Sequence, residues 1–200
     1  MQVEPVVLEG ERVRLEPMRR DHFPALAEAG RYDELWKWTS AMANTDAGMA
    51  EYMEAALAEA EALKSLPFVT IDKPSAAIVG STRFGNIDPA NRRAEIGWTW
   101  ISPQFQRTYV NSEAKYLMLR HAFDVWNCVR VELKTDVLNE KSRAAMRRLG
   151  AVEEGVLRRH IITHSGRFRD TIYYSILDHE WPAVRARLEA RLRTASITRE

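Results

Sequence analysis

The run from Arg93 to Arg143 constrains this chain most, because it reads as strand, short loop, helix and returning strand. Glu95 to Ile101 is dense in β-branched and aromatic residues, and Ser102-Pro103 stops it. After a polar loop, Asn111 or Ser112 is placed to cap a helix whose apolar positions Ala114, Leu117, Met118, Ala122 and Val125 recur at helical spacing. Cys128 to Thr135 then reads as a strand with Val129, Val131 and Leu133 on one face. A crossover of this length joins parallel neighbours. The helix therefore opens at the carboxyl end of two parallel strands, where unpaired amides and the helix dipole suit a phosphate or pyrophosphate.

The flanking chain supplies the rest of an α/β domain. Arg12 to Pro17 alternates as a half-exposed strand, and Asp21 is placed to cap a helix carrying Phe23, Leu26 and Ala27 that Gly30 ends. Arg31 to Asn44 holds Trp36 and Trp38 without clean periodicity, as a pocket wall or as packing beneath the next helix. Thr45 or Asp46 starts an alanine-rich helix to about Leu66. Phe68 to Ile71 and Ala76 to Phe84 form a hairpin about Asp72 to Ser75. Asn139 caps a short helix that Gly150 terminates, Val152 to Thr163 and Arg167 to Leu177 form a second hairpin, and an arginine-studded helix ends the chain.

Two hundred residues without a low-complexity linker fit a single domain, 1–200, with a core at 8–181 and a terminal helix and tail at 182–200. A net charge of +1 argues against nucleic acid as a partner. No apolar run is long enough to span a membrane, the start lacks a signal peptide's pattern, and the one cysteine, Cys128, reads as core filler, so a cytoplasmic setting is expected. The histidines form no metal-binding spacing, and neither a nucleophile elbow nor a dinucleotide fingerprint is present; no metal is expected.

Read together, LEGERVRLEPMRRDH, AEIGW, SEAK, the Asn-x-x-Ser of Asn139 and Ser142, RRLGAVEEGVLR and RDTIYYSILDHEW, in this order from Leu8 to Trp181, resemble the GNAT superfamily of N-acetyltransferases, in its ribosomal-protein (Rim-type) branch. The resemblance implies a mixed α/β (α+β) fold: a mostly antiparallel central sheet with one parallel, splayed strand pair, flanked by helices. It implies acetyl-CoA as cosubstrate and an amine acceptor, a small molecule or a protein. It places the acyl carbonyl near the amides of Trp100 and Ile101 and the diphosphate on the loop and helix start formed by Gln106, Arg107, Thr108, Tyr109, Val110, Asn111 and Ser112. The family's loop is written Gln/Arg-x-x-Gly-x-Gly/Ala, and its two glycine positions hold Arg107 and Tyr109 here. Glycine permits close backbone approach and φ > 0, so this loop is expected to bind with altered geometry or more weakly, Arg107 offering compensating charge. A non-catalytic acyl-CoA sensor or partner-binding domain is the rival reading.

Glu95 is the candidate general base, since alternation puts it on one face with Gly97 and Thr99; the competing reading is a cross-strand ion pair. The resemblance gives Asn139 to the pantetheine arm and Ser142 to the departing sulfur as proton donor, although both also suit a helix cap. Tyr174 is a second candidate acid, with Tyr173 on the opposite face. Trp36, Trp38, Glu95 and Asp170 are the candidate acceptor-binding residues, Asp170 having an arginine ion pair as its structural alternative. Exposed strands or the terminal helix are available for a homodimer.

Overall fold

Strand β5 (Arg93–Ile101) and strand β6 (Arg130–Asp136) run parallel, as the crossover spacing requires, and every other strand pairing is antiparallel. The structure, a computed structural model, describes residues 1–197, with side chains described to residue 194. The remaining strands are β1 (Leu8–Glu9), β2 (Val13–Pro17), β3 (Leu66–Asp72), β4 (Ala77–Asp88), β7 (Val152–Ile162) and β8 (Phe168–Leu177). They form one eight-stranded sheet of order β1-β2-β3-β4-β5-β6-β8-β7. Among the described residues five α-helices flank it: α1 (Phe23–Gly30), α2 (Asp46–Glu61), α3 (Tyr109–Arg120), α4 (Glu140–Leu149) and α5 (Trp181–Ile197). None among the described residues is long and apolar enough to cross a membrane.

Two apolar cores form on opposite faces of the sheet. Phe84, Ile96, Val131 and Leu133 pack with Leu117 and Met118 of α3, Met146 of α4 and Leu188 of α5. On the other face, Val69 and Trp100 pack with Leu26 of α1 and Met49 and Met53 of α2. Gly30 ends α1 less as a stop than as a contact, because a Cβ there would lie 2.4 Å from Met49 Cε. Trp36 is 1% exposed, packs with its ring tilted against that of Trp100, centroids 5.4 Å apart, and donates to the Gly30 carbonyl at 2.7 Å, so it belongs to this core.

The parallel ladder is short. Arg93, Ala94 and Glu95 face Arg130, Val131 and Glu132, and beyond them β5 and β6 continue without pairing to each other. The cause is visible in β5. Gly97 opposes Arg83 but Trp100 opposes Ser81, so Trp98 and Thr99 together face Thr82, with Trp98 at φ 49°. Such a bulge bends its strand and raises the local twist. It also reverses the alternation: Ile96 and Ile101 enter the same core, and Thr99 turns to α3 while Glu95 stays on the α1/α2 face. Simple alternation fails to see this.

Other boundaries move for local reasons. Thr108, not Asn111 or Ser112, caps α3, its Oγ1 accepting from the Val110 amide at 3.3 Å. Past Arg120 a π turn spans His121–Val125, and its extra residue rotates the helical register, leaving Val125 61% exposed. Asp21 lies in a 3-10 turn where His22 Nδ1 accepts the Arg19 amide, so Asp21 is not the cap of α1. Thr45 caps α2 as expected, but α2 ends at Glu61, and Leu63 at φ 55° turns the chain into β3.

Gly80 lets β4 follow the bulge, because a Cβ there would lie 2.2 Å from the Trp100 carbonyl oxygen. Backbone on one side and sheet on the other leave nothing that can yield cheaply. Gly80→Ala is expected to cost about 1–3 kcal/mol in urea denaturation. A change below about 0.5 kcal/mol, the scale of an innocuous surface substitution, would show that the bulge is not held this tightly.

Candidate active site

The divergence of β5 from β6 leaves a cleft whose floor is the last parallel rung, Glu95 with Glu132. The loop that leaves β5 crosses one end of it. Gln106 Nε2 donates to the Ile101 carbonyl at 2.9 Å, and Thr108 Oγ1 donates to the Phe105 carbonyl at 2.7 Å, so two side chains fold the loop onto the strand end. Arg107 sits at φ 60°. The left-handed conformation that glycine would adopt freely is thus kept, at a cost of about 1–2 kcal/mol for a residue with a Cβ. The Arg107 side chain is exposed and has no hydrogen-bond or ion-pair partner among the described residues. Tyr109 turns away from the cleft: Arg12 lies 4.0 Å from its ring centroid and its hydroxyl donates to Asp72. Neither side chain at a glycine position fills the gap between the strands. The Asn111 amide, in the first turn of α3, has no acceptor inside the helix.

Glu95 is 2% exposed, and its Oε2 accepts from Asn86 Nδ2 at 2.6 Å and from Lys134 Nζ at 2.8 Å. The cross-strand ion pair read from the sequence is therefore present, formed with Lys134 of β6. Lys134 lies 5.9 Å from the Trp98 ring and 5.6 Å from the Tyr173 ring, so the carboxylate, the ammonium and two aromatic faces share this side of the cleft. Trp100 and Ile101 are buried in opposite cores, and the Ile101 carbonyl accepts from Gln106 Nε2.

The remaining candidates divide. Asn139 caps α4, with its Oδ1 accepting from the Ser142 amide at 3.2 Å, and the Ser142 hydroxyl makes no hydrogen bond within the described chain. Tyr174 is fully buried, opposite Leu133, with its hydroxyl donating to Glu153 at 3.0 Å on β7 and Arg143 Nε 3.5 Å away. That hydroxyl points toward the β7 edge and away from β5. Asp170 accepts from the Arg159 amide at 2.7 Å, beside an irregularity of β7 where Arg159 has φ 49°. It holds the edge strand through a backbone amide, not a guanidinium. Trp38, half-buried, meets residues of the β7–β8 hairpin: Arg169 Nη1 donates to its carbonyl at 3.3 Å, Arg167 lies 5.6 Å from its ring, and His164 Nδ1 is 3.3 Å from the Thr39 carbonyl. The segment before α2 thus docks on the β7–β8 hairpin.

Lys115 is the unforeseen residue. The SEAK motif places it between Ala114 and Leu117 on α3, where a lysine reads as a solvated position, yet it is 7% exposed. Its Nζ donates to Thr99 Oγ1 at 2.6 Å and to Thr82 Oγ1 at 3.4 Å, and the two hydroxyls are 2.8 Å apart. No carboxylate stands within 4.0 Å of it among the described residues. Burial lowers its pKa to about 7. The helical period offers the missed signal, since position 115 precedes Met118 and Leu119 by one turn.

This depressed pKa carries a sign. Below pH about 7 the lysine is protonated in both folded and unfolded chains, and the burial penalty is fully felt. Between that pH and the ordinary lysine range, the unfolded chain binds the extra proton, so stability rises with pH. The stability of wild type relative to Lys115→Met is therefore expected to improve from pH 6 to pH 9, read by urea denaturation of both. A difference independent of pH would show that Lys115 is not buried as a charge.

Residues 12–152 match the acetyltransferase (GNAT) domain family. YdaF of Bacillus subtilis (strain 168), which carries a provisional ribosomal N-acetyltransferase name, is 36% identical over 105 residues, 52% of this chain and 56% of its own length. The chain spans between 50% and 63% of the curated relatives it matches. Among solved structures, a GCN5-related N-acetyltransferase from Brucella melitensis superposes with a TM-score of 0.88 at 33% identity, over 94% of this chain and 86% of that one. Mycobacterium smegmatis RimJ, solved in complex with CoA-disulfide, superposes with a TM-score of 0.76 at 26% identity, over 90% and 88%. Family match, splayed parallel pair and bulged central strand agree, and the chain belongs to the GNAT acetyltransferase family.

Proposed function

We propose that this protein transfers an acetyl group from acetyl-CoA to a primary amine by direct attack in a ternary complex. The observation that carries the reading is the cleft between β5 and β6, open along the unpaired edge of β5 and bordered by a loop that retains a left-handed residue at Arg107. The residues present suit the cosubstrate: an unpartnered guanidinium and a helix start for the diphosphate, and strand backbone for the acyl arm.

In this reading Arg107 and the first turn of α3 hold the diphosphate, and the Nδ2 of Asn139, not used in its cap, contacts the pantetheine arm. Trp100 and Ile101 backbone donors hold the acyl carbonyl as its oxygen gains charge. Glu95, reached through a water, takes a proton from the ammonium, and Lys134 and Asn86 fix its carboxylate in place. The amine nitrogen then bonds to the acyl carbon as the carbon–sulfur bond breaks, Ser142 supplies a proton to the departing thiolate, and the surplus proton shed by the acylated nitrogen restores the Ser142 hydroxyl through solvent. The acceptor enters past Trp38, and the name of YdaF favours a ribosomal amine as one class to try. The sensor reading rested on Arg107 and Tyr109, and the turn of Tyr109 onto Asp72 weighs against it.

Acetyl-CoA at a hundred times its dissociation constant is expected to stabilise the protein by about 2.7 kcal/mol. Glu95→Gln should keep that stabilisation while kcat/KM falls by about 10²–10⁴-fold in a thiol-release assay. Stabilisation without thiol release across a broad amine panel would support the sensor, and undiminished turnover in Glu95→Gln would remove Glu95 from the chemistry.

A further inference from the structure

Among the described residues, one buried cation on the α1/α2 side of the sheet has no carboxylate to match it. Glu95 is paired with Lys134 at 2.8 Å, Glu59 with Arg83 at 3.0 Å, and Asp136 with Arg167. Arg169, 8% exposed, has no carboxylate within 4.0 Å among the described residues. Its Nη1 donates to the Trp38 carbonyl, its Nε is buried without an acceptor, and its Nη2 makes no hydrogen bond within the described chain. Burial works against its charge, and the fields of Asp136, Glu95 and Tyr173 offset only part of that.

A guanidinium mostly withdrawn from water is costly unless acceptors or an anion meet it. The bare Nε and Nη2 form the edge of the head group that matches two carboxylate oxygens. Arg169 is near the start of β8, and by register and alternation it shares the sheet face of Thr171 and Tyr173, which oppose Asp136 and Lys134, so an anion on that edge would lie on the face that carries Glu95 and Lys134.

We propose that Arg169 anchors a carboxylate of the acceptor, so that the amine acetylated here belongs to an amino-acid-like molecule or an acidic chain terminus. This inference rests on the acetyl-transfer reading of the same site. A purely structural Arg169 would only pin the Trp38 segment to the hairpin, and would not distinguish acid from amide.

The test uses two matched acceptor pairs: glycine against glycinamide, for a free α-carboxylate, and peptide amides beginning Asp-Ala against Asn-Ala, for an acidic side chain. In at least one pair the wild-type protein should favour the carboxylate about tenfold or more in kcat/KM, on the scale of losing a charged hydrogen bond. Arg169→Gln should bring that ratio below about twofold while acetyl-CoA still stabilises the protein; Arg169→Lys serves in its place if the glutamine variant does not fold, with the ratio reduced. Binding is read separately as thermal stabilisation of the CoA-saturated protein by the acetylated acid and amide products. Equal use and equal stabilisation by acid and amide in both pairs, or discrimination that survives in Arg169→Gln, would overturn the proposal. Absence of any stabilisation by acetyl-CoA would instead overturn the acetyl-transfer reading itself.

Discussion

The site depends on a ladder that stops. Parallel strands normally continue to pair while both remain extended, because each unpaired amide or carbonyl buried between them carries a desolvation cost. Here β5 and β6 separate after Glu95 and Glu132, and the bulge at Trp98 and Thr99 is what turns β5 away. The open edge can be satisfied by water or by an extended, amide-bearing ligand, and pantetheine is such a ligand. The same bulge sends Thr99 to α3 and keeps Glu95 on the α1/α2 face, so one irregularity of the backbone sends the two side chains to opposite faces of the sheet.

Much of this was legible from residue patterns, and what was not has a physical reason. The strand, loop, helix and strand from Arg93 to Arg143 carry strong periodic signals, and their order alone demands a parallel neighbour. The hairpins and the caps at Thr45 and Asn139 rest on local chemistry that the sequence displays directly. The bulge is different: Trp98 adopts φ 49° because the surrounding sheet requires it, and nothing about a tryptophan announces a left-handed conformation. The cap at Thr108 was obscured because Arg107 and Tyr109 replace the glycines that would have marked the loop's end. Tyr174 reads as an available acid only until its hydroxyl is found to point toward Glu153 and Arg143.

Charges hidden from the sequence fall on both faces. Lys115 lies on the α3 side with only hydroxyls for company, and Arg169 lies on the other with a single carbonyl. Neither could be recognised by residue type, because lysine and arginine are ordinarily solvated and their burial arises from tertiary packing alone. Sites that bind charged ligands tolerate such residues, since the ligand completes what the fold leaves unmatched.

Backbone amide exchange measures the central claim most directly. With acetyl-CoA bound, exchange should slow along the open edge of β5 from Trp98 to Ile101 and at the start of α3 from Arg107 to Asn111, while the already paired β3 and β4 change little. Unchanged exchange in both stretches under saturating acetyl-CoA would mean that the gap between β5 and β6 is not where the cosubstrate lies.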